Sequence, residues 1–355
     1  MRVHIPLAGG LDASQWQARF GRGEVPDSTP YGLHHLEDAG ICPRFGAAGR
    51  GRGIRRLESA VSYRVDGLEV LETLGDLLSR TTRSTDAVLC YDERTGIPSS
   101  LLAATSRRFA PVVTGIGWIT DKGGTYPRFA RLVESALART PGVWTQCRPV
   151  LTALRDQWGV PNSRLHFVPL GIDTDFYGLQ PVAAEPGLVV SAGEDRFRDH
   201  DLLTTAMSLV QSKRPEARLE LATSLPVDVL ASLGVVHTER MDGRMRDLYR
   251  RSSLVAVALR PTISGSGLTV VLEAMASGRP VVVTDNPGMA DYVEHGVTGL
   301  LVPAGDTEAF ADAIEELLVD PGRAAEMGSA AAVRARTHFT SAVMASHLAR
   351  ILLEL

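Results

Sequence analysis

The chain has 355 residues, of which 44% are hydrophobic and 22% are charged. This length favours two domains over one or three, and the composition is that of an ordinary globular protein, so disorder as the main state is excluded. Lysine and arginine number 37 against 41 aspartates and glutamates, which leaves a formal net charge of −4. The chain as a whole therefore has no electrostatic attraction for nucleic acid or for an acidic membrane.

Short β-branched runs alternate with longer helical segments in both halves of the chain, a pattern typical of parallel sheets wrapped by helices. In the first half, strands are predicted at residues 2–7, 87–91, 111–114 and 165–169, with a helix at 31–39. In the second half, strands are predicted at residues 188–192, 218–222, 254–258, 281–284 and 299–303, with a helix at 202–210. The sequence therefore predicts an α/β protein of two doubly wound, Rossmann-like domains that face each other across a cleft.

The aperiodic, proline-containing stretch at residues 178–187 predicts the linker between these domains. The first domain then covers residues 1–177 and the second covers residues 188–339. The remaining segment, 340–355, predicts a terminal amphipathic helix.

The cysteines and the apolar segments bear on where the protein acts. Cys42, Cys90 and Cys147 are widely spaced and odd in number, which argues against a zinc site or a disulfide framework. The apolar run at residues 1–8 is too short for a secretory signal, and no segment approaches the ~20 apolar residues of a membrane-spanning helix. We therefore expect a soluble, cytoplasmic protein that binds no nucleic acid.

The most informative segment is a glycine-serine loop that enters a helix and is followed by a buried strand. The loop and the first turn consist of Ser264, Gly265, Ser266, Gly267, Leu268 and Thr269. Unpaired N–H groups there, at the positive end of the helix dipole, would hold a phosphate. Glu273 lies four residues after Thr269 on the same face, where its carboxylate could accept both hydroxyls of a ribose. A solvated helix face is the alternative for Glu273.

The run from residue 267 to residue 303 resembles the donor-binding segment of the retaining, GT-B-fold glycosyltransferases of family 4, also called group 1. The motifs that carry the resemblance are LEAMA at 272–276, GRPVV at 278–282 and DYVEHGVTGLLVP at 291–303, with shorter matches at 159–161 and 168–173. The resemblance implies transfer of a sugar from a nucleoside-diphosphate sugar to a small-molecule or glycan acceptor, with retained anomeric configuration. It also implies that no metal and no cofactor is needed.

The resemblance assigns roles to residues of the second domain. It implies that Glu273 binds the donor ribose and that the loop at Gly193 carries a basic residue for the donor diphosphate. We match Arg198 to that position first and Arg196 second. A surface ion pair with Asp195 or a neighbouring aspartate is the alternative for these arginines.

One position departs from the family pattern. The family commonly has two glutamates separated by seven residues, and the first of them falls on Gly265. Either Ser264, Ser266 and backbone N–H groups hold the sugar instead, or the chain binds a nucleotide sugar as a non-catalytic partner subunit. An epimerase or a phosphorylase of the same fold is a further alternative.

The resemblance also assigns roles in the first domain. Gly9 and Gly10 follow the first strand, where the family places a glycine-rich loop near the donor phosphates and the acceptor. Residues 11–29 are an insert, and we predict that they form an acceptor loop. The terminal helix would cross back to the first domain, with a homodimer contact as the alternative.

Aromatic and acidic side chains of the first half complete the candidate site. Trp16, Tyr31 and Trp118 are candidates for stacking on an acceptor sugar, with ordinary packing as the alternative. Asp92 and Glu93 follow a buried strand, so either could orient the acceptor nucleophile. A carboxylate role at a helix N-terminus is the alternative for this pair.

Overall fold

The computed structural model of the protein describes residues 1–46, 58, 67–79, 84–106, 108–119, 129–178 and 182–355. The described residues form two compact units. Unit 1 comprises residues 1–21, 28–169 and 341–355, and unit 2 comprises residues 22–27 and 170–340. Each unit contains a six-stranded parallel sheet with helices, which confirms the predicted α/β class and the two Rossmann-like domains.

The boundary between the units lies at residues 169–170, upstream of the predicted linker at 178–187. The residues between these two points contact unit 2. Ile172 forms a β-bridge with Thr340, and the short helix that follows packs against the helix at 268–276. Further on, the Glu185 carboxylate forms ion pairs with Arg218 and Arg251. The C-terminal helix belongs to unit 1 and packs against the 3-10 helix at 30–39.

Unit 1 is built on strands whose order in the sheet is β2-β1-β3-β4-β5-β6. They are β1 (Arg2–Ile5), β2 (Cys42–Phe45), β3 (Ala87–Cys90), β4 (Val112–Gly115), β5 (Gly142–Thr145) and β6 (Leu165–Phe167). The three strands β3, β4 and β5 are buried along their whole length, as expected for parallel strands covered on both faces. Strands β1 and β3 are neighbours, and the chain adds β2 beyond β1 on one side and β4, β5 and β6 beyond β3 on the other. The topological switch point of the sheet therefore lies between β1 and β3.

Unit 2 has strands in the order β12-β11-β10-β7-β8-β9. They are β7 (Leu188–Ala192), β8 (Arg218–Ala222), β9 (Gly234–His237), β10 (Leu254–Val257), β11 (Val281–Thr284) and β12 (Gly299–Val302). This is the strand order of a dinucleotide-binding Rossmann domain, and its switch point lies between β7 and β10.

The helices cover these sheets. The α-helices are α1 (Ala13–Phe20), α2 (Val70–Leu77), α3 (Glu93–Ala103), α4 (Ala130–Leu137), α5 (Arg148–Asp156), α6 (Thr174–Tyr177), α7 (His200–Lys213), α8 (Gly243–Arg251), α9 (Leu268–Ala276), α10 (Thr307–Val319), α11 (Pro321–His338) and α12 (Ser341–Leu353). Short 3-10 helices lie at Pro30–Ala39, Asn162–Arg164 and Met289–Asp291. Within the described ranges, no helix is both long and apolar enough to cross a membrane.

The start of the chain confirms one prediction and corrects another. The helix predicted at 31–39 is present as the 3-10 helix Pro30–Ala39, in which Tyr31 and Gly32 have positive φ angles of 61° and 66° and mark a kink. The segment predicted as a loop at 11–29 contains α1. Asp12 caps this helix by accepting the N–H groups of Ser14 and Gln15.

Candidate functional site

The candidate site of unit 2 lies where the loops after β7 and β10 meet. Strand β7 leads into Gly193, and β10 leads through a loop to Ser264, Ser266 and Gly267 at the start of α9. The switch point of a doubly wound sheet opens a crevice at the carboxyl ends of its strands, which is where such sheets bind ligands. The loops singled out in the sequence of the second domain therefore come together at the expected edge of the sheet.

Arg198 lies directly against Gly193. A Cβ atom on Gly193 would lie 2.1 Å from Arg198 Nε, and the φ angle of Gly193 is +145°. Both facts require glycine at this position, since other residues rarely adopt this backbone conformation and would collide with the guanidinium. The side chain of Arg198 is only 6% exposed.

Asp195 holds the guanidinium of Arg198. Arg198 Nε donates to Asp195 Oδ2 at 2.9 Å, so the ion pair weighed from the sequence exists, but it is buried rather than on the surface. Arg198 Nη1 is also buried and donates to no acceptor among the described residues. A buried cationic N–H group with no acceptor is a site for an anionic oxygen, because leaving it unpaired is costly. Arg196, the second candidate, is exposed, and its guanidinium lies over the ring of Phe197 at 4.9 Å.

The start of α9 adds backbone donors. Gly267 begins the helix with a φ angle of +84° and offers no side-chain cap. In the described part of the chain, the N–H groups of Thr269 and Val270 find no acceptor. Ser264 is turned towards Thr262, whose Oγ1 accepts the Ser264 N–H at 3.0 Å. The first turn of α9 therefore presents free donors at the positive end of the helix dipole.

Glu273 lies one turn further into α9 and is held at both oxygens. The hydroxyl of Tyr177 donates to Oε1 at 2.5 Å, and that of Tyr249 donates to Oε2 at 3.0 Å. Burial raises the pKa of Glu273 to about 6, although the two phenols and the charge of Arg198 act in the opposite direction. The alternative of a solvated helix face is therefore wrong, whereas Thr269 on the same face is exposed.

The two tyrosines were not predicted from the sequence. Burial and the adjacent carboxylate raise the pKa of both phenols well above the usual value, so both remain protonated donors. Tyr177 lies four residues after the end of the 168–173 motif and is the last residue of α6, and this proximity to the motif is a signal that could have identified it. Tyr249 lies on the buried side of α8 and carries no comparable signal.

A second polar cluster lies at the switch point of unit 1. Gly9 and Gly10 have φ angles of 67° and 70°, and the N–H of Gly9 donates to Glu69 Oε1 at 2.7 Å. Arg94 Nη1 lies 3.9 Å from the same carboxylate oxygen, and Arg94 Nη2 donates to Asp92 Oδ2 at 2.6 Å. Burial raises the pKa of Glu69. Sequence reasoning identified the glycines and Asp92 and missed Glu69 and Arg94.

The two acidic candidates of unit 1 have structural contacts. Asp92 is the N-cap of α3, where its side chain accepts the N–H of Arg94. Glu93 is completely buried, and its carboxylate accepts the N–H groups of Gly117 at 2.9 Å and Trp118 at 2.7 Å. Burial raises the pKa of Glu93 to about 7. The Asp92 contact matches the helix-terminal alternative. Glu93 instead binds the loop after β4 and, being completely buried, has no surface for an acceptor.

The aromatic candidates lie on three separate elements. The ring of Tyr31 stacks on that of Tyr91 with 3.6 Å between centroids and 8° between planes, so one of its faces is covered. Trp16 lies on α1 with the guanidinium carbon of Arg19 5.7 Å from its ring centroid. Trp118 is half-buried in the loop after β4. An acceptor role for all three stays a prediction.

Comparison with known proteins identifies a family model and curated relatives that match part of the chain. Residues 187–320 match the family model described as Glycosyl transferases group 1. The D-inositol 3-phosphate glycosyltransferase of Rhodococcus jostii is 36% identical over 158 residues, which are 43% of this chain and 34% of that protein. The enzyme of the same name from Thermobispora bispora is 32% identical over 230 residues, 57% of this chain and 53% of that protein. The chain thus spans about half the length, or less, of these curated relatives.

Solved structures similar to the chain cover both units. The structure of Anabaena HepE in complex with UDP and glucose aligns with a TM-score of 0.68 and 18% identity over 100% of both chains. Sucrose-phosphate synthase from Thermosynechococcus elongatus aligns with a TM-score of 0.71 and 16% identity over 100% of this chain and 98% of the other. At such low identity the likeness establishes the shared GT-B fold.

Proposed function

We propose that the protein is a retaining glycosyltransferase, on the premise that residues 187–320 match the family model described as Glycosyl transferases group 1. It transfers a sugar from a nucleoside-diphosphate sugar to a small-molecule or glycan acceptor. One observation carries the proposal: Arg198 and Glu273 both lie at the switch point of unit 2, and Arg198 Nη1 has no acceptor among the described residues.

The donor diphosphate would be bound by Arg198 and by the start of α9. Arg198 Nη1 supplies a buried charged donor, and Thr269 and Val270 supply backbone N–H groups. Charge-assisted hydrogen bonds from such donors are shorter and stronger than neutral ones. The same donors stabilise the negative charge that grows on the diphosphate as the bond to the sugar breaks.

The donor ribose would be bound by Glu273. An ionised carboxylate has about four lone-pair sites, and the tyrosine hydroxyls occupy one on each oxygen. One site on each oxygen therefore remains for a ribose hydroxyl. Tyr177 and Tyr249 fix the direction of these two sites, since the carboxylate cannot rotate without breaking a hydrogen bond.

The chemical step we propose is front-face displacement. The acceptor hydroxyl attacks the anomeric carbon on the side from which the diphosphate leaves, so the configuration is retained. The bond from the anomeric carbon to the diphosphate breaks, and the hydroxyl proton passes to the departing phosphate oxygen. We propose that the acceptor binds unit 1 near Gly9 and Gly10, whose left-handed backbone without side chains allows close approach. No metal and no cofactor takes part, because Arg198 and backbone donors supply the positive potential. Three free cysteines accord with a cytoplasmic setting.

The non-catalytic alternative has one observation in its favour. Gly265 provides no side chain where the family has a glutamate that contacts the donor sugar. The backbone does not demand glycine there, because an added Cβ would approach only the end of the Leu268 side chain, at 2.9 Å from Cδ1. A partner subunit would bind the nucleotide sugar tightly and consume none of it.

A thermal-shift experiment tests the donor site. Wild-type protein is heated with UDP, GDP, ADP, CMP and dTDP, each at a concentration series, because a ligand at 100 times its dissociation constant adds about 2.7 kcal/mol to the free energy of unfolding. We expect one nucleotide to stabilise the wild type and to lose this effect with Glu273→Ala. The matched control is Glu308→Ala, which removes an exposed glutamate from the first turn of α10. A folded protein that responds to none of the five nucleotides contradicts the proposal.

A further inference from the structure

Asp195 connects the two loops of the donor site. Its Oδ2 accepts Arg198 Nε at 2.9 Å, and its Oδ1 accepts the Ser266 hydroxyl at 2.8 Å and the Phe197 N–H at 3.0 Å. Ser266 lies 71 positions later in the chain, in the loop that enters α9. One carboxylate thus links the β7 loop, the arginine and the start of α9.

The backbone at Arg198 has further contacts besides the hydrogen bond from the Phe197 N–H to Asp195. Arg198 forms an antiparallel bridge with Leu259, and the carbonyl of Phe197 accepts the N–H of Arg260 at 2.8 Å. The guanidinium itself has a different support. Among the described residues, its hydrogen-bonding partner is Asp195, while Gly193 lies against it without a hydrogen bond.

We propose that Asp195 is a positioning residue that aims Arg198 Nη1 at the donor diphosphate and keeps it in register with the N–H groups of α9. The inference rests on the proposed function. Its physical basis is preorganisation, because an unpaired arginine spreads over several rotamers and loses their entropy when it binds. Asp195 accepts the hydrogen bond of Nε, and Nη1 has no acceptor among the described residues. Because Ser266 donates to the same carboxylate, the position of Nη1 depends on the loop that enters α9.

A double-mutant cycle separates positioning from a general contribution to folding. The affinity for the nucleoside diphosphate that wild type binds best among UDP, GDP and ADP is measured by calorimetry for four proteins: wild type, Arg198→Ala, Asp195→Ala and the double variant. We expect Arg198→Ala to weaken binding at least tenfold in the wild type and less than threefold when Asp195 is already alanine. Residues that act as one unit show this non-additivity, whereas independent residues give factors that multiply.

The controls address charge and folding. Asp201→Ala removes an exposed aspartate from the first turn of α7 and reports the effect of the lost negative charge alone, for which we expect less than a twofold change. Thermal unfolding of every variant shows that it is folded. If Asp195→Ala does not fold, the cycle is run with Ser266→Ala, which removes the link to the α9 loop and leaves the ion pair in place.

The outcomes distinguish this inference from the proposed function. An equal loss from Arg198→Ala in both backgrounds overturns the positioning role of Asp195. An Arg198→Ala variant that binds like wild type overturns it too, because then no aimed contact exists. A wild-type protein that binds none of the five nucleotides of the thermal-shift experiment instead overturns the proposed function.

Discussion

Replacement of Gly193 by alanine tests the geometry of the donor site most sharply. The new methyl group would lie 2.1 Å from Arg198 Nε and 2.3 Å from its guanidinium carbon. Ordinary van der Waals contact needs about 3.5 Å or more, so the guanidinium must retreat by more than about 1 Å. That movement breaks or lengthens the hydrogen bond to Asp195 and withdraws Nη1 from the ligand.

The expected magnitudes follow from these contacts. A hydrogen bond to a charged group contributes about 1.5–3 kcal/mol, so we expect nucleoside-diphosphate affinity to fall about 10- to 100-fold. The backbone at φ +145° adds strain of about 1–3 kcal/mol for alanine, which lowers the free energy of unfolding. Calorimetric titration measures the first effect, and urea unfolding measures the second.

A matched control separates strain from collision. Gly305 has a φ angle of +78°, and an added Cβ would meet nothing within 4 Å. Gly305→Ala should therefore cost about 1–2 kcal/mol of unfolding free energy and leave the affinity unchanged. If Gly193→Ala binds the nucleotide within twofold of wild type, Arg198 does not contact the ligand from the observed position and the reasoning is refuted.

Four further predictions follow from the buried carboxylates and the proposed chemistry. Because the pKa of Glu273 is about 6 and its ionised form accepts the ribose hydroxyls, nucleotide affinity should fall below pH 6 more steeply for wild type than for Glu273→Gln, as calorimetric titration from pH 5 to pH 8 would show. In the absence of ligand the sign reverses, because the folded-state pKa lies above the usual 4.5 and protonation therefore favours folding. The unfolding free energy of wild type should drop by about 2 kcal/mol relative to that variant as pH rises from below about 4 to above about 7, and a flat difference contradicts the buried environment. Glu93→Ala leaves two backbone N–H groups without their acceptor and should lower the unfolding free energy by about 2–5 kcal/mol in urea titrations, whereas a change below about 0.5 kcal/mol would show that the groups find other partners. Sugar transfer measured by product formation should be unchanged after EDTA treatment, and loss of activity restored by a divalent cation would assign the positive potential to a metal instead.

The strands that the sequence predicted correctly are those with continuous β-branched runs. Val281–Thr284 is the clearest case, since all four residues are buried in the middle of a parallel sheet. The strands that were missed lack this signal. Cys42–Phe45 contains Pro43 and Arg44, which only an edge strand tolerates, and Gly142–Thr145 is short and begins with glycine.

The candidate site likewise has parts that the sequence predicts and parts that it does not. Gly193 and Glu273 were identified because each lies in a motif formed by a short stretch of chain. The partners of Glu273 come from positions 96 and 24 residues away, and only the folded chain shows that Tyr177 and Tyr249 meet there. Asp92 and Glu93 were placed at the right end of the right strand, but spacing alone did not show that capping and loop contacts occupy them.

The central claim is that the donor site of unit 2 serves sugar transfer. The most direct test measures release of nucleoside diphosphate from nucleotide sugars of the base that stabilises the protein, with and without a set of polyol, sugar and phenolic acceptors. The account predicts release that requires an acceptor and falls by about 10²–10³-fold in Arg198→Ala. Tight binding of the nucleotide sugar, with no release in the presence of any acceptor, would contradict catalysis and assign the chain the role of a nucleotide-sugar-binding subunit.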